Sequence, residues 1–137
     1  MTCEQTTDQS ATTRYLLVDD HEAFRHLLAS FLPERDSEVT EASDGRAALE
    51  IYQKVRPAWI LMDVEMPVLD GVSATRELVS RHPEARVIIL TQYDSPEVER
   101  AALDSGAIGF LPKADLPLLP DLLQKLEDGE TRPPHQS

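Results

Sequence analysis

The alternation of apolar blocks with polar, turn-forming ones sets the reading of this chain. Trp59-Ile60-Leu61-Met62 is an unbroken apolar run of the kind that marks a strand buried on both faces, and it ends abruptly in Asp63. Arg14 to Val18 and Arg86 to Leu90 have the same character; the first ends in Asp19-Asp20 and the second in Thr91. Glu38 to Ala42 is a shorter, more polar strand suited to a sheet edge, and Ala107 to Leu111 is a fifth, followed by Pro112 and Lys113.

Between these runs the period lengthens. From His21 to about Leu32, the apolar residues Ala23, Phe24, Leu27, Leu28, Phe31 and Leu32 recur at helical spacing until Pro33. Ser43-Asp44-Gly45 opens a helix that stops before Pro57. Asp70-Gly71 turns the chain into a helix over Val72 to Ser80, with Asp70 as a turn or cap residue. Ser95-Pro96 gives an N-cap and a first-turn proline to a helix that reaches about Ser105, where Gly106 can end it. Pro117 and Pro120 cannot both lie inside the last helix, so it starts near Pro117 or later and runs to about Glu127. Five strands alternating with five helices specify an α/β fold with a doubly wound parallel sheet, because parallel neighbours need crossover helices.

Composition narrows the function. The 137 residues suffice for one domain of ordinary size, with 41% hydrophobic and 28% charged residues. Residues 1–13 and 128–137 are polar or proline-containing and read as tails around a domain spanning 14–127. A formal net charge of -12 argues against direct DNA binding and against anionic membranes. No run approaches the roughly 20 apolar residues of a membrane span, and no signal peptide is recognisable, so the expected location is the cytoplasm. Cys3 is the single cysteine, and four scattered histidines do not suggest zinc. Trp59, about 13 Å of strand away from Asp63, reads as a packing residue.

Parallel strands present their carboxyl ends along one rim, where open α/β sheets bind ligands. That rim collects Asp19, Asp20, Asp63, Thr91 and Lys113. Three neighbouring carboxylates repel one another, and a divalent ion held by oxygens relieves the repulsion. Mg2+ suits such donors, with Asp20 and Asp63 as direct ligands and Asp19 acting through water. Lys113 adds a positive charge and Thr91 a hydroxyl, so the set can hold a phosphoryl group, with Asp63 as nucleophile. Plainer roles are open as well: Asp63 as an acid ending a strand, Asp19-Asp20 as helix-capping acids, Lys113 as a solvated charge, and Phe110 as core.

Val18-Asp19-Asp20-His21-Glu22, Leu61-Met62-Asp63-Val64-Glu65-Met66-Pro67 with Asp70-Gly71, Leu90-Thr91, and Gly109-Phe110-Leu111-Pro112-Lys113 together resemble the receiver domains of two-component response regulators. The wording around the first and last strands is most similar to receivers of the LuxR-type helix-turn-helix class, here without the DNA-binding domain. The resemblance implies a flavodoxin-like sheet of order 2-1-3-4-5 and a Mg2+-dependent phosphoryl switch. Asp63 would be the phosphoacceptor, and the backbone carbonyl of Glu65 would join Asp20 and Asp63 on the ion. Lys113 and Thr91 would bind phosphoryl oxygens, and Phe110 would change its burial as Thr91 moves. A histidine kinase or phosphotransfer protein would be the donor. A downstream protein would be the target, contacted without DNA or membrane through the face of the last two helices and fifth strand, where two phosphorylated copies could also pair. Such a stand-alone receiver has slow self-dephosphorylation but no external substrate, and so is not an enzyme in the usual sense. Gln92 and Tyr93 depart from common receiver patterns beside the site.

Two other readings use the same residues. A haloacid-dehalogenase-type phosphatase also uses an aspartyl nucleophile and Mg2+, but Glu65 fits its second acid only loosely and no cap insertion follows the strand. A receiver-like scaffold that ignores phosphate would keep the fold and lose the chemistry; Gln92 leaves room for it.

Overall fold

A computed structural model describes residues 12–33, 36–66, 69–93 and 95–129. Its strands are β1 (Thr13–Val18), β2 (Ser37–Ala42), β3 (Trp59–Asp63), β4 (Val87–Thr91) and β5 (Gly109–Pro112), and its helices are α1 (Glu22–Ala29), α2 (Gly45–Val55), α3 (Gly71–Arg81), α4 (Pro96–Asp104) and α5 (Leu119–Glu127). All four ladders are parallel, in the order β2-β1-β3-β4-β5. The polar β2 sits at an edge, as its sequence implied, and β3, whose five residues are all buried, occupies the centre.

Strand periodicity explains why the central runs are apolar throughout. Leu16, Val18, Ile60, Met62, Val87 and Ile89 pack on one face against Ala48, Leu49 and Tyr52 of α2, Ala74 and Leu78 of α3, and Ala102 of α4. Their neighbours Tyr15, Leu17, Trp59, Leu61, Ile88 and Leu90 face the other way, onto Leu28 of α1 and Leu119, Leu123 and Leu126 of α5. Trp59 is 2% exposed, with the Arg86 guanidinium 3.9 Å from its ring centroid. It is a packing residue at the end of β3 opposite Asp63.

Helix starts follow their caps. The Asp44 carboxylate accepts the Ala47 N–H at 2.8 Å, Asp70 accepts the Ser73 N–H at 2.8 Å, and Ser95 Oγ accepts the Val98 N–H at 3.1 Å. Gly106, at φ 109°, takes the left-handed conformation after α4 that L side chains resist. The two prolines divide the last segment. Lys113–Leu118 forms a 3₁₀ turn containing Pro117, and Pro120 falls in the first turn of α5, where its missing N–H is not needed.

Strand and helix ends differ from the sequence expectation by one or two residues, as in β5, which starts at Gly109 rather than Ala107, and by more at the first helix. The first helix ends at Ala29 rather than near Leu32. Residues 30 to 32 tighten into i→i+3 bonds, with Phe31 N–H on Leu28 O and Leu32 N–H on Ala29 O, while Ser30 Oγ bonds back to Leu27 O. Leu32 is still buried, which explains why helical spacing appeared to continue. Residues 12, 13, 128 and 129 are described, with Thr13 already paired to Ser37; the remainder of both expected tails, Cys3 included, lies outside the described residues. Among the described residues no helix is long and apolar enough to cross a membrane.

Candidate functional site

The carboxyl ends of β1, β3, β4 and β5 meet at one rim, and the chemistry gathers there. Asp19 follows β1, Asp63 ends β3, Thr91 ends β4 and Lys113 follows β5. Asp19 is fully buried and Asp63 is 4% exposed. The Lys113 Nζ lies between them, 3.0 Å from Asp19 Oδ2 and 3.1 Å from Asp63 Oδ1. Residues 94 positions apart are thus joined by a direct charged hydrogen bond. Asp20 is more open, with 31% of its side chain exposed.

The surroundings hold Asp19 firmly. Its Oδ1 accepts the His21 N–H at 2.8 Å, and its backbone carbonyl accepts from Arg25 Nη1 at 2.7 Å. Arg25 in turn pairs with Glu41 on β2, tying the first turn of α1 to two strand ends. The Lys113 ammonium also sits 4.1 Å from the centroid of the Phe24 ring. His21, Phe24, Asp63, Glu65, Gln92 and Lys113 line an opening above the acids.

Thr91 stands somewhat apart. It is 1% exposed at the end of β4, and its hydroxyl accepts the Tyr93 N–H at 3.0 Å rather than bonding to Asp63 or Lys113. Phe110 pairs in register with Ile89 and packs, partly buried, on the core beside α2, α3 and α4. The structure therefore brings Asp19, Asp63 and Lys113 into contact, sets Asp20 and Glu65 at the rim, and leaves Thr91 and Phe110 at neighbouring positions.

Charge is unevenly offset here. Burial is the largest influence on Asp63, followed by the negative charge of Asp19; together with Asp20 they outweigh the hydrogen bond and charge of Lys113 and push its pKa from 3.8 to about 6. Burial alone would lower the Lys113 pKa, but its contacts with Asp19 and Asp63 raise it. One ammonium thus leaves the carboxylates short of positive charge. All the side-chain donors of this set are hard oxygens apart from His21, and Asp19, Asp20 and His21 offer ligand atoms within 4.8 Å of one another. The donor chemistry fits an oxygen-seeking divalent cation such as Mg2+.

The raised pKa has a stability consequence. Between about pH 4 and 6 folded Asp63 holds a proton that the unfolded chain releases, so stability falls as pH rises through that window and stays lower above it. A carboxyl moved from 3.8 to about 6 corresponds to about 3 kcal/mol. Asp63→Asn is expected to recover about 1–2 kcal/mol of that at pH 8 in EDTA, since Lys113 loses one partner in the exchange. Urea midpoints should show the gain closing below pH 4; an unchanged gap from pH 4 to 8 would contradict the shift.

A period or motif reading assigns no site role to three residues here. Phe24 looks like one more apolar position of an amphipathic helix, Arg25 like a solvated charge, and His21 enters only as part of the Val18–Glu22 stretch. The only hints are that Arg25 interrupts the helix beside its apolar stripe and that His21 directly follows two acids.

A doubly wound parallel sheet with paired acids and a lysine at its switch-point rim defines the class of molecule. The family model for the response regulator receiver domain matches residues 15–124, and the chain belongs to that family. It is 38% identical over 101 residues to the transcriptional regulatory protein DegU of Brevibacillus brevis, covering 72% of this chain and 42% of DegU. It is 37% identical over 98 residues to the chemotaxis protein CheY of Halobacterium salinarum, covering 72% of this chain and 82% of CheY. The chain is also similar in structure to a LuxR-family two-component response regulator from Aurantimonas sp. SI85-9A1, with a TM-score of 0.80, 29% identity and 86% of each chain covered. The signal receiver domain of the response regulator NarL from Mycobacterium tuberculosis gives a TM-score of 0.75 at 30% identity, covering 86% of this chain and 98% of that one. The chain spans less than half the length of some curated relatives, 42% of DegU and 49% of the transcriptional activator protein ExaE of Pseudomonas putida. Receiver domains are signalling modules of two-component systems, and the family sets aside the haloacid-dehalogenase reading.

Proposed function

We propose that this chain is a Mg2+-dependent phosphoryl switch whose phosphoacceptor is Asp63. The observation that carries the proposal is the contact of Asp63, a buried carboxylate ending the central strand, with Lys113 Nζ at 3.1 Å beneath an open pocket. An Asp63 carboxylate oxygen attacks phosphorus in a phosphohistidine or small acyl phosphate, forming an O–P bond as the bond to the leaving nitrogen or oxygen breaks. Lys113 is placed to stay with the phosphoryl oxygens, and the Thr91 hydroxyl can reach them once it leaves the Tyr93 N–H. Asp20, Asp63 and the Glu65 carbonyl would hold Mg2+, with Asp19 acting through water, and the ion would neutralise charge on the transferred group.

In this reading Thr91 and Phe110 form the switch: phosphorylation favours the state in which Thr91 turns inward and Phe110 changes its packing. The domain comprises residues 14–127. A cytoplasmic histidine kinase or phosphotransfer protein supplies the phosphoryl group, and a protein partner reads the face of α4, β5 and α5, through which two copies can pair. The net charge of -12 favours a basic patch on that partner.

Intact-mass measurement after incubation with acetyl phosphate tests the reading. The expected result is one added phosphoryl group in the wild type with Mg2+, much less with EDTA, and none in Asp63→Asn. Labelling of Asp63→Asn to the wild-type level would move the acceptor elsewhere. Absence of labelling in the wild type, with partner binding retained, would favour a phosphate-independent scaffold.

A further inference from the structure

We propose that the His21 imidazole is a direct ligand of the cation at this site and tilts its preference toward first-row transition dications, such as Mn2+ and Ni2+, over Mg2+. The inference rests on the metal reading given under the proposed function. His21 Nδ1 lies 3.0 Å from Asp20 Oδ1 and 3.3 Å from Asp19 Oδ1. Adjacent ligands of an octahedral ion bonded at about 2.1 Å are separated by about 3 Å, so His21 Nδ1 and Asp20 Oδ1 already stand at the spacing of neighbouring coordination positions. His21 is also one of the residues lining the opening shared with Asp63 and Glu65.

The backbone of the residue is anchored while its ring is exposed beside the acids. The His21 N–H donates to Asp19 Oδ1 and its carbonyl accepts the Arg25 N–H at 3.1 Å, fixing the backbone where β1 passes into α1. It occupies the N-cap position at φ -108° and ψ 112°, yet its side chain makes no capping hydrogen bond. A ring needed only for the fold would cap the helix or be packed; this one is 71% exposed and leans toward the two acids. The plain alternative is a surface imidazole hydrogen-bonded to Asp19 Oδ1 and in charged contact with Asp20.

Ligand chemistry separates these readings. Mg2+ favours oxygen donors and gains little from an imidazole, whereas affinity for nitrogen-containing sites climbs from Mn2+ to Ni2+. A ligating His21 therefore shows itself in the difference between metals. Because the backbone contacts do not involve the ring, His21→Ala should keep the fold and leave Asp19 held by the residue-21 N–H and Lys113 Nζ.

The test is calorimetric titration of the full 137-residue chain, free of any tag, with Mg2+, Mn2+ and Ni2+, in the wild type, His21→Ala and, as a surface-histidine control, His26→Ala. His21→Ala is expected to weaken Ni2+ binding about tenfold or more and to leave Mg2+ binding within about twofold, with His26→Ala unchanged. Pulsed electron paramagnetic resonance of the Mn2+ complex should show coupling to an imidazole nitrogen in the wild type and none in His21→Ala. Wild-type Mn2+ without nitrogen coupling, or equal weakening of all three metals by His21→Ala, overturns the proposal while leaving the metal site intact. Failure of the wild type to bind Mg2+ at all would instead remove the metal reading, and this inference with it.

Discussion

Lys113→Met is expected to lower stability by about 2–4 kcal/mol at pH 8 in EDTA. The side chain is 18% exposed and its ammonium touches two carboxylates whose side chains are 1% and 6% exposed. Methionine keeps the length and the contact with Phe24 but removes the only cation touching both acids among the described residues. Both carboxylates are then buried without their charged partner. Asp63 can escape by binding a proton, because its pKa is already raised to about 6 and loses the one influence that lowered it. The deficit should therefore be largest at alkaline pH and shrink as pH falls toward about 6, where wild-type Asp63 binds its own proton, a trend that urea denaturation across pH 6 to 9 would reveal. Labelling by acetyl phosphate should slow about 10²-fold, the scale of losing one preorganised donor to developing charge. A variant as stable as the wild type at pH 8 would mean that the buried acids do not depend on this ammonium.

Gly71→Ala is expected to be at least as damaging, for a steric reason. A Cβ on Gly71 would stand 1.9 Å from the Asp63 carbonyl oxygen and 2.8 Å from its carbon. Both atoms are backbone, so no side-chain rotation relieves the overlap, and either β3 or the start of α3 must move. The Gly71 N–H also donates to Val64 O at 2.8 Å, so movement strains the turn that carries the chain away from the acid. A loss of about 3 kcal/mol, or about 10 °C in Tm, follows from such overpacking. The peptide displaced is that of Asp63 itself, so phosphoryl labelling should fall even under conditions where the variant stays folded. Wild-type Tm and labelling in Gly71→Ala would show that the helix can slide away without disturbing the site.

The close approach at Gly71 illustrates what a one-dimensional reading misses. Asp70-Gly71 is legible as a turn and cap, and Asp70 does accept the Ser73 N–H. That the glycine exists because the helix start lies against the Asp63 peptide is a statement about packing between elements. The same holds at α1. Leu32 continues the apolar spacing and is buried, but the backbone beneath it has already left the helix at Ala29. Periodicity reports which side chains face the core, not which hydrogen bonds their backbone makes.

The sequence by itself determined the alternation of strands and helices, the central place of the Trp59–Asp63 run, the edge character of β2, and the gathering of Asp19, Asp20, Asp63, Thr91 and Lys113 at one rim. These follow from local rules: strand period, turn residues and the common polarity of parallel strands. Only the tertiary structure decided that Lys113 bridges Asp19 as well as Asp63, that the Thr91 hydroxyl accepts the Tyr93 N–H, that Phe24 underlies the ammonium, and that Arg25 and His21 close around Asp19. The physical reason is one of scale. A strand end places a residue on a rim several ångströms wide, whereas a hydrogen bond or ligand contact depends on about 3 Å and on direction, which helix packing and side-chain rotamers supply.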